Sequence, residues 1–90
     1  SRFVIIDARR PDQFEEGRIG ESVNIFPYDD EMVYMDKLYS LPPDKVVIVY
    51  CDGGTCDLSH HVAEDLANNG FESVFIYKGG WEEWTGETQN

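Results

Sequence analysis

The stretch that decides the fold is Lys45-Val46-Val47-Ile48-Val49-Tyr50-Cys51-Asp52-Gly53-Gly54-Thr55-Cys56-Asp57. Lys45–Tyr50 carries four consecutive β-branched residues and is the clearest buried strand in the chain. An unbroken apolar run of this kind fits a strand covered on both faces of a parallel sheet. Cys51–Cys56 follows as a loop holding Gly53 and Gly54. Asp57–Asn69 then places Leu58, Val62, Ala63, Leu66 and Ala67 on one side of an amphipathic helix that stops at Asn68-Asn69-Gly70.

Outward from this unit the same alternation continues. Phe3-Val4-Ile5-Ile6-Asp7 is a second apolar strand ending in an acid, and Pro11–Glu16 opens on proline and closes at Gly17 as a short helix. Ser22–Phe26 reads as a short strand before Pro27. Asp29 and Asp30 can cap the next helix, whose Met32, Met35, Leu38 and Tyr39 fall at helical spacing and end at Pro42-Pro43-Asp44. Ser73–Tyr77 is a further strand, and Lys78-Gly79-Gly80 turns into a short helix around Trp81 and Trp84. Met32, Met35, Trp81 and Trp84 are expected in the core. Strands alternating with helices predict a single α/β domain over residues 1–90, with an open, mostly parallel sheet flanked by helices on both faces.

Composition narrows the function classes. Ninety residues leave room for one core, and a 41% hydrophobic fraction with five Tyr, five Phe and two Trp is enough to build it. A net charge of −11 and a pI near 4.3 argue against nucleic acid as a partner, since phosphate backbones need clustered Lys and Arg. The same charge disfavours direct contact with an anionic membrane surface. Two cysteines are too few for the disulfide framework of a small secreted domain. The reading is therefore cytoplasmic by default, and periplasmic if the parent chain is a membrane-anchored fusion. With only Ser1 and Arg2 ahead of Phe3, the chain reads as a domain excised from a longer protein.

The loop carries the chemistry. Ligands of open α/β sheets bind beyond the carboxyl ends of the strands, where Cys51 stands. Gly53 and Gly54 let the backbone curl so that N–H groups point inward, and the following helix start adds partial positive charge. Both features favour an anion at Cys51 and lower the pKa of its thiol. Cys56 is a second thiol close enough in sequence to reach disulfide geometry, and so could resolve a persulfide or sulfenic acid. Asp57 is expected at the cap or first turn of the helix, and Asp52 as a solvated turn residue. His61 is expected in solvent. Cys51, Cys56 and His60 offer three metal ligands without a fourth, so no metal site is expected.

Over nearly its whole length the sequence resembles the rhodanese-like sulfurtransferase domain. The resemblance rests on Ile5-Ile6-Asp7-Ala8-Arg9, on Phe14-Glu15-Glu16-Gly17-Arg18-Ile19 with Val23-Asn24-Ile25-Phe26-Pro27, on Val49-Tyr50-Cys51, and on Gly70-Phe71, Val74, Gly79-Gly80 and Trp84. It implies a five-stranded parallel core between helices and a catalytic Cys51 that carries sulfur as a persulfide. It also implies a structural ion pair or hydrogen-bonded corner at Asp7 and Arg9, near the active loop. There are departures. Gly17–Ser22 lacks the His, Pro and Ala of the family segment. The usual oxyanion-gripping Arg is replaced by Cys56 or Leu58, depending on whether one counts from the strand or from the helix. Residues 51–77 contain no Arg or Lys, which disfavours thiosulfate as donor. A related phosphatase would need Arg where Asp57 stands.

The resulting expectation is a sulfurtransferase or persulfide carrier with Cys51 as nucleophile and Cys56 as a resolving thiol. The substrate loop is Asp52, Gly53, Gly54, Thr55 and Asp57, whose N–H groups hold the persulfide. No cofactor is implied, and the partners are a sulfane-sulfur donor and a thiol or protein acceptor. Two other readings stand beside it. One is a dithiol redox switch built on Cys51 and Cys56, and the other is a non-catalytic rhodanese-like interaction module.

Overall fold

The computed structural model describes residues 2–86, so the 1–90 span assigned from sequence passes both ends of that range. The elements run β1 (Phe3–Asp7), α1 (Pro11–Glu16), β2 (Val23–Asn24), α2 (Glu31–Tyr39), β3 (Val46–Tyr50), α3 (Leu58–Asn68), β4 (Val74–Ile76) and α4 (Gly80–Thr85). All strand pairs are parallel, in the order β2-β1-β3-β4. Asp7 pairs with Tyr50 at the carboxyl end of the central pair, and Val49 with Ile76. The described residues hold four strands, where the family resemblance implied five. The predicted strand at 22–26 shrinks to Val23 and Asn24, beyond which the Ile25 amide makes one more bond, to Asp7 O at 2.9 Å.

Alternation along the strands explains the core. Ile6, Ala8, Val47, Val49 and Cys51 lie on one face and pack with Tyr34 and Leu38 of α2 and Val62 and Leu66 of α3. Fully burying a side chain such as Leu66 stabilises the fold by about 1.5–3 kcal/mol. A bond from Tyr34 Oη to Asp65 Oδ2 (2.6 Å) ties α2 to α3, and Asp30 caps α2 by accepting from the Met32 and Val33 amides. On the opposite face, α1 and α4 gather at the carboxyl ends of the strands, around Arg9, Tyr50 and Trp81. The amino-terminal half of that face is less covered than the apolar runs predict, since Val46 and Phe75 are exposed.

Two expected core residues lie outside it. Met32 is 75% and Trp84 58% exposed, because each short helix covers only one face: Tyr34 and Leu38 are buried in α2, and Trp81 is partly buried in α4.

The chain runs from β1 outward to β2, then crosses back to β3 on the other side of β1. Their carboxyl ends therefore form the topological switch point where open α/β sheets bind ligands. Asp7 and Cys51 both stand there.

Candidate active site

Cys51 leaves β3 with its side chain on the core face and is only 2% exposed. Its thiol donates to Ser59 Oγ at 3.4 Å, across to the first turn of α3. Cys56 is half-buried, and both cysteines are free thiols. Burial pushes the Cys56 thiol above its ordinary range, and the neighbouring Cys51 pushes it further. The backbone N–H groups of Leu58 and Asp52 pull the other way, because they favour a thiolate on that sulfur. Two amides of the loop and helix start thus converge on Cys56, while a buried hydroxyl addresses Cys51.

The loop is held from behind. The Cys56 amide donates to Gly53 O (3.0 Å), closing a turn, and the Trp81 and Glu82 amides donate to Cys51 O and Asp52 O, each at 2.9 Å. Here two glycine pairs interlock. A Cβ on Gly53 would stand 2.2 Å from Gly79 O, and one on Gly80 would stand 2.4 Å from Cys51 O. Both residues have positive φ, +108° and +61°. Gly53 is buried in this interlock, while Gly54 and Thr55 are exposed. Asp52 is half-buried. Asp57 occupies the N-cap position of α3 without a side-chain cap bond and is exposed.

Asp7 and Arg9 form the expected structural corner. They are 0% and 2% exposed, and Arg9 Nε and Nη2 both meet the carboxylate, the latter at 2.8 Å. Tyr50 Oη donates to Asp7 Oδ2 (2.6 Å) and accepts from the Ile19 amide (3.0 Å). Burial and the Asp7 bond push the Tyr50 phenol up, so it stays protonated as a donor. Arg9 also bonds Gly17 O and lies 4.5 Å from the Trp81 ring, so one buried cation ties β1, the residues after α1, and α4 together. Tyr50→Phe leaves the Ile19 amide and the Asp7 carboxylate each short of a partner. It should cost about 1–3 kcal/mol, read as a lower urea midpoint. An unchanged midpoint would show that the corner does not stabilise the fold.

Sequence reasoning missed Ser59, Tyr50, Trp81 and the Leu58 amide. Of these only Ser59 left a signal, a polar residue on the apolar stripe Val62–Leu66. His61, expected in solvent, packs edge-on to Tyr28 (5.4 Å) and Tyr34 (6.3 Å) and lies 3.4 Å from Asp65. A groove of about 740 Å³ runs between α3 and β4 past His60, His61, Asp65 and Lys78 and includes neither cysteine. A smaller cleft of about 390 Å³ abuts the loop at Asp52, between Arg9, Gly17 and Trp81.

Comparison with known proteins agrees with this geometry. The family model described as "Rhodanese-like domain" matches residues 1–87. The chain is 35% identical over 84 residues to the thiosulfate sulfurtransferase GlpE of Coxiella burnetii (strain RSA 331 / Henzerling II), covering 91% of this chain and 71% of that protein. It is 31% identical over 84 residues to the uncharacterized protein YibN of Escherichia coli (strain K12), covering 93% of this chain but only 57% of the relative's length. Among solved structures, the BH2092 protein of Bacillus halodurans is similar with a TM-score of 0.81 at 29% identity, over 96% of this chain and 60% of that one. The Rhodanese_3-like domain of Anabaena Alr3790 shares the fold at a TM-score of 0.77 and 24% identity, over 96% and 93%.

Proposed function

This chain belongs to the rhodanese-like domain family, a family with members named as sulfurtransferases, and from that premise we propose that it moves sulfane sulfur through a persulfide on Cys51. The observation that carries the reading is a buried Cys51 thiol at the carboxyl end of the central strand, hydrogen-bonded to Ser59, with a second free thiol, Cys56, in the same loop. In the first half-reaction the Cys51 thiolate attacks the outer sulfur of a donor persulfide, R–S–SH. The Cys51–S bond forms, the donor's S–S bond breaks, and R–S⁻ leaves. In the second, an acceptor thiolate takes that sulfur and Cys51 thiolate is the leaving group. Loop amides left free by the turn, which uses the Cys56 amide on Gly53 O, hold the charged outer sulfur in place of a side-chain cation.

The donor class follows from charge. No Lys or Arg lies between residues 51 and 77, and Asp52, Asp57 and Glu82 border the loop. A dianion such as thiosulfate is repelled there, whereas an organic or protein persulfide, R–S–SH or R–S–S⁻, brings at most one charge at its reacting end. Incubation with an organic persulfide should add about 32 Da, one sulfur atom, to Cys51 by intact mass and peptide mapping, and thiosulfate should add far less. No adduct with either donor would sink the proposal.

Two neighbouring free thiols in one loop also support a second reading, a dithiol switch whose working state is the disulfide. In that case a mild disulfide oxidant would remove both thiols within one domain without any stable sulfur adduct.

A further inference from the structure

Ser59 is the one polar side chain on the buried face of α3. It is 3% exposed, between core residues that include Val62 and Leu66 one and two turns on. Burying a hydroxyl without a partner costs about 1–3 kcal/mol, and alanine at this position would be a better helix former. The hydroxyl is nevertheless present, and its hydrogen bond runs to the sulfur of Cys51.

The loop divides its donors unevenly. The amides of Asp52 and Leu58 address Cys56. Cys51 is met by the Ser59 hydroxyl. A serine hydroxyl is both donor and acceptor and rotates to suit its partner. With Cys51 as a thiol, Ser59 Oγ accepts the S–H bond. Once the proton has gone to solvent base, the same hydroxyl can turn and donate to the thiolate across the same contact, without movement of the backbone.

We propose that Ser59 is a catalytic residue that stabilises negative charge on the Cys51 sulfur by reversing its hydrogen bond. The proposal rests on the sulfur-transfer reading above. In that chemistry Cys51 carries charge twice, as the thiolate that attacks R–S–SH and as the thiolate that leaves when R′–S⁻ takes the outer sulfur to give R′–S–SH. One donor fixed on the inner sulfur therefore assists both half-reactions. Hydrogen bonds to ionised groups are about twice as strong as neutral ones, so the contact favours the charged form of the cysteine.

The test compares three proteins in a Cys56→Ser background, where one thiol remains to titrate: Ser59 retained, Ser59→Ala and Ser59→Thr. Two quantities are read against pH, the ultraviolet absorbance of the Cys51 thiolate and the rate of sulfur uptake from an organic persulfide. Thermal unfolding monitors the fold. Ser59→Ala should move the thiolate titration up by about one pH unit, leaving roughly tenfold less thiolate and about tenfold slower uptake at neutral pH. At high pH, where Cys51 is fully ionised, the difference in uptake should narrow. Ser59→Thr keeps the hydroxyl and should hold the titration near that of the parent.

A titration unmoved in folded Ser59→Ala would overturn the proposal. So would a folded Ser59→Thr that shifts as far as Ser59→Ala, since the hydroxyl would then not be the acting group. If the parent titrates normally but takes up no sulfur, the sulfur-transfer reading fails, and the titration still reports on the Ser59 contact by itself.

Discussion

Cys51→Ser should abolish sulfur uptake altogether, while Cys56→Ser should take up sulfur and hold it roughly tenfold longer or more. The difference follows from where the two sulfurs stand. Cys51 follows the central strand, and Cys56 is its neighbour on the more exposed side of the loop. Once Cys51 carries S–SH, a Cys56 thiolate can attack the inner sulfur. The Cys51–Cys56 bond then forms, the S–SH bond breaks and hydrosulfide leaves. The attack needs the thiolate, and burial together with the neighbouring Cys51 holds the Cys56 proton on to higher pH than an ordinary thiol, whose pKa is about 8.5. Below its raised pKa, resolution should therefore speed up about tenfold per pH unit, leaving the persulfide long-lived at neutral pH. In Cys56→Ser that acceleration should vanish. Persulfide lifetime is read by intact mass across a pH series, at a protein concentration low enough to suppress exchange between molecules. An equal lifetime in Cys56→Ser would reduce Cys56 to a packing residue. Uptake surviving in Cys51→Ser would place the nucleophile on the other cysteine.

Gly53→Ala should be among the most damaging single substitutions outside the cysteines. Its backbone φ of +108° strains any L side chain, and the added carbon would stand 2.2 Å from the carbonyl oxygen of Gly79. Neither neighbour is the movable end of a side chain, so the 51–54 and 78–82 segments must part. Left-handed strain of about 1–2 kcal/mol and overpacking of about 1–3 kcal/mol together remove about 2–5 kcal/mol, from a stability that in a domain of this size is about 5–15 kcal/mol. Parting the segments also stretches the bonds from the Trp81 and Glu82 amides to the Cys51 and Asp52 carbonyls, so uptake should fall in whatever protein stays folded. Gly20→Ala is the control. Its φ is +56°, but nothing lies within 4 Å of the added carbon, so only the strain applies. Urea midpoints compare the two. A Gly53→Ala no weaker than Gly20→Ala would mean that the glycine interlock does not hold the loop.

Much of this molecule is legible in its sequence because local forces set it. Four β-branched residues in a row at 46–49 can scarcely be anything but a strand, and Leu58, Val62 and Leu66 recur at the period of a helix. The loop between them needs no tertiary information to be placed at a strand's carboxyl end, and the order of elements implies a parallel sheet. The pairing of Asp7 with Arg9 is implied only by the family resemblance, since nothing in their spacing says that both will be buried.

What escaped the sequence depends on contacts between residues far apart in the chain. Nothing local says that Gly80 will press on the Cys51 carbonyl or that Tyr50 will catch the Ile19 amide, thirty-one residues away. Met32 and Trp84 obey the helical period, yet which turn of a short helix meets the sheet is a matter of docking, and both face outward. The division of donors between the thiols is of the same kind. The sequence reading aims the loop amides at Cys51, because glycines and a helix start produce inward N–H groups wherever they occur. Only the packing of α3 against β3 decided that Ser59 meets Cys51 and that the Asp52 and Leu58 amides meet Cys56, because it takes a fixed helix axis to aim a hydroxyl at one sulfur rather than the other.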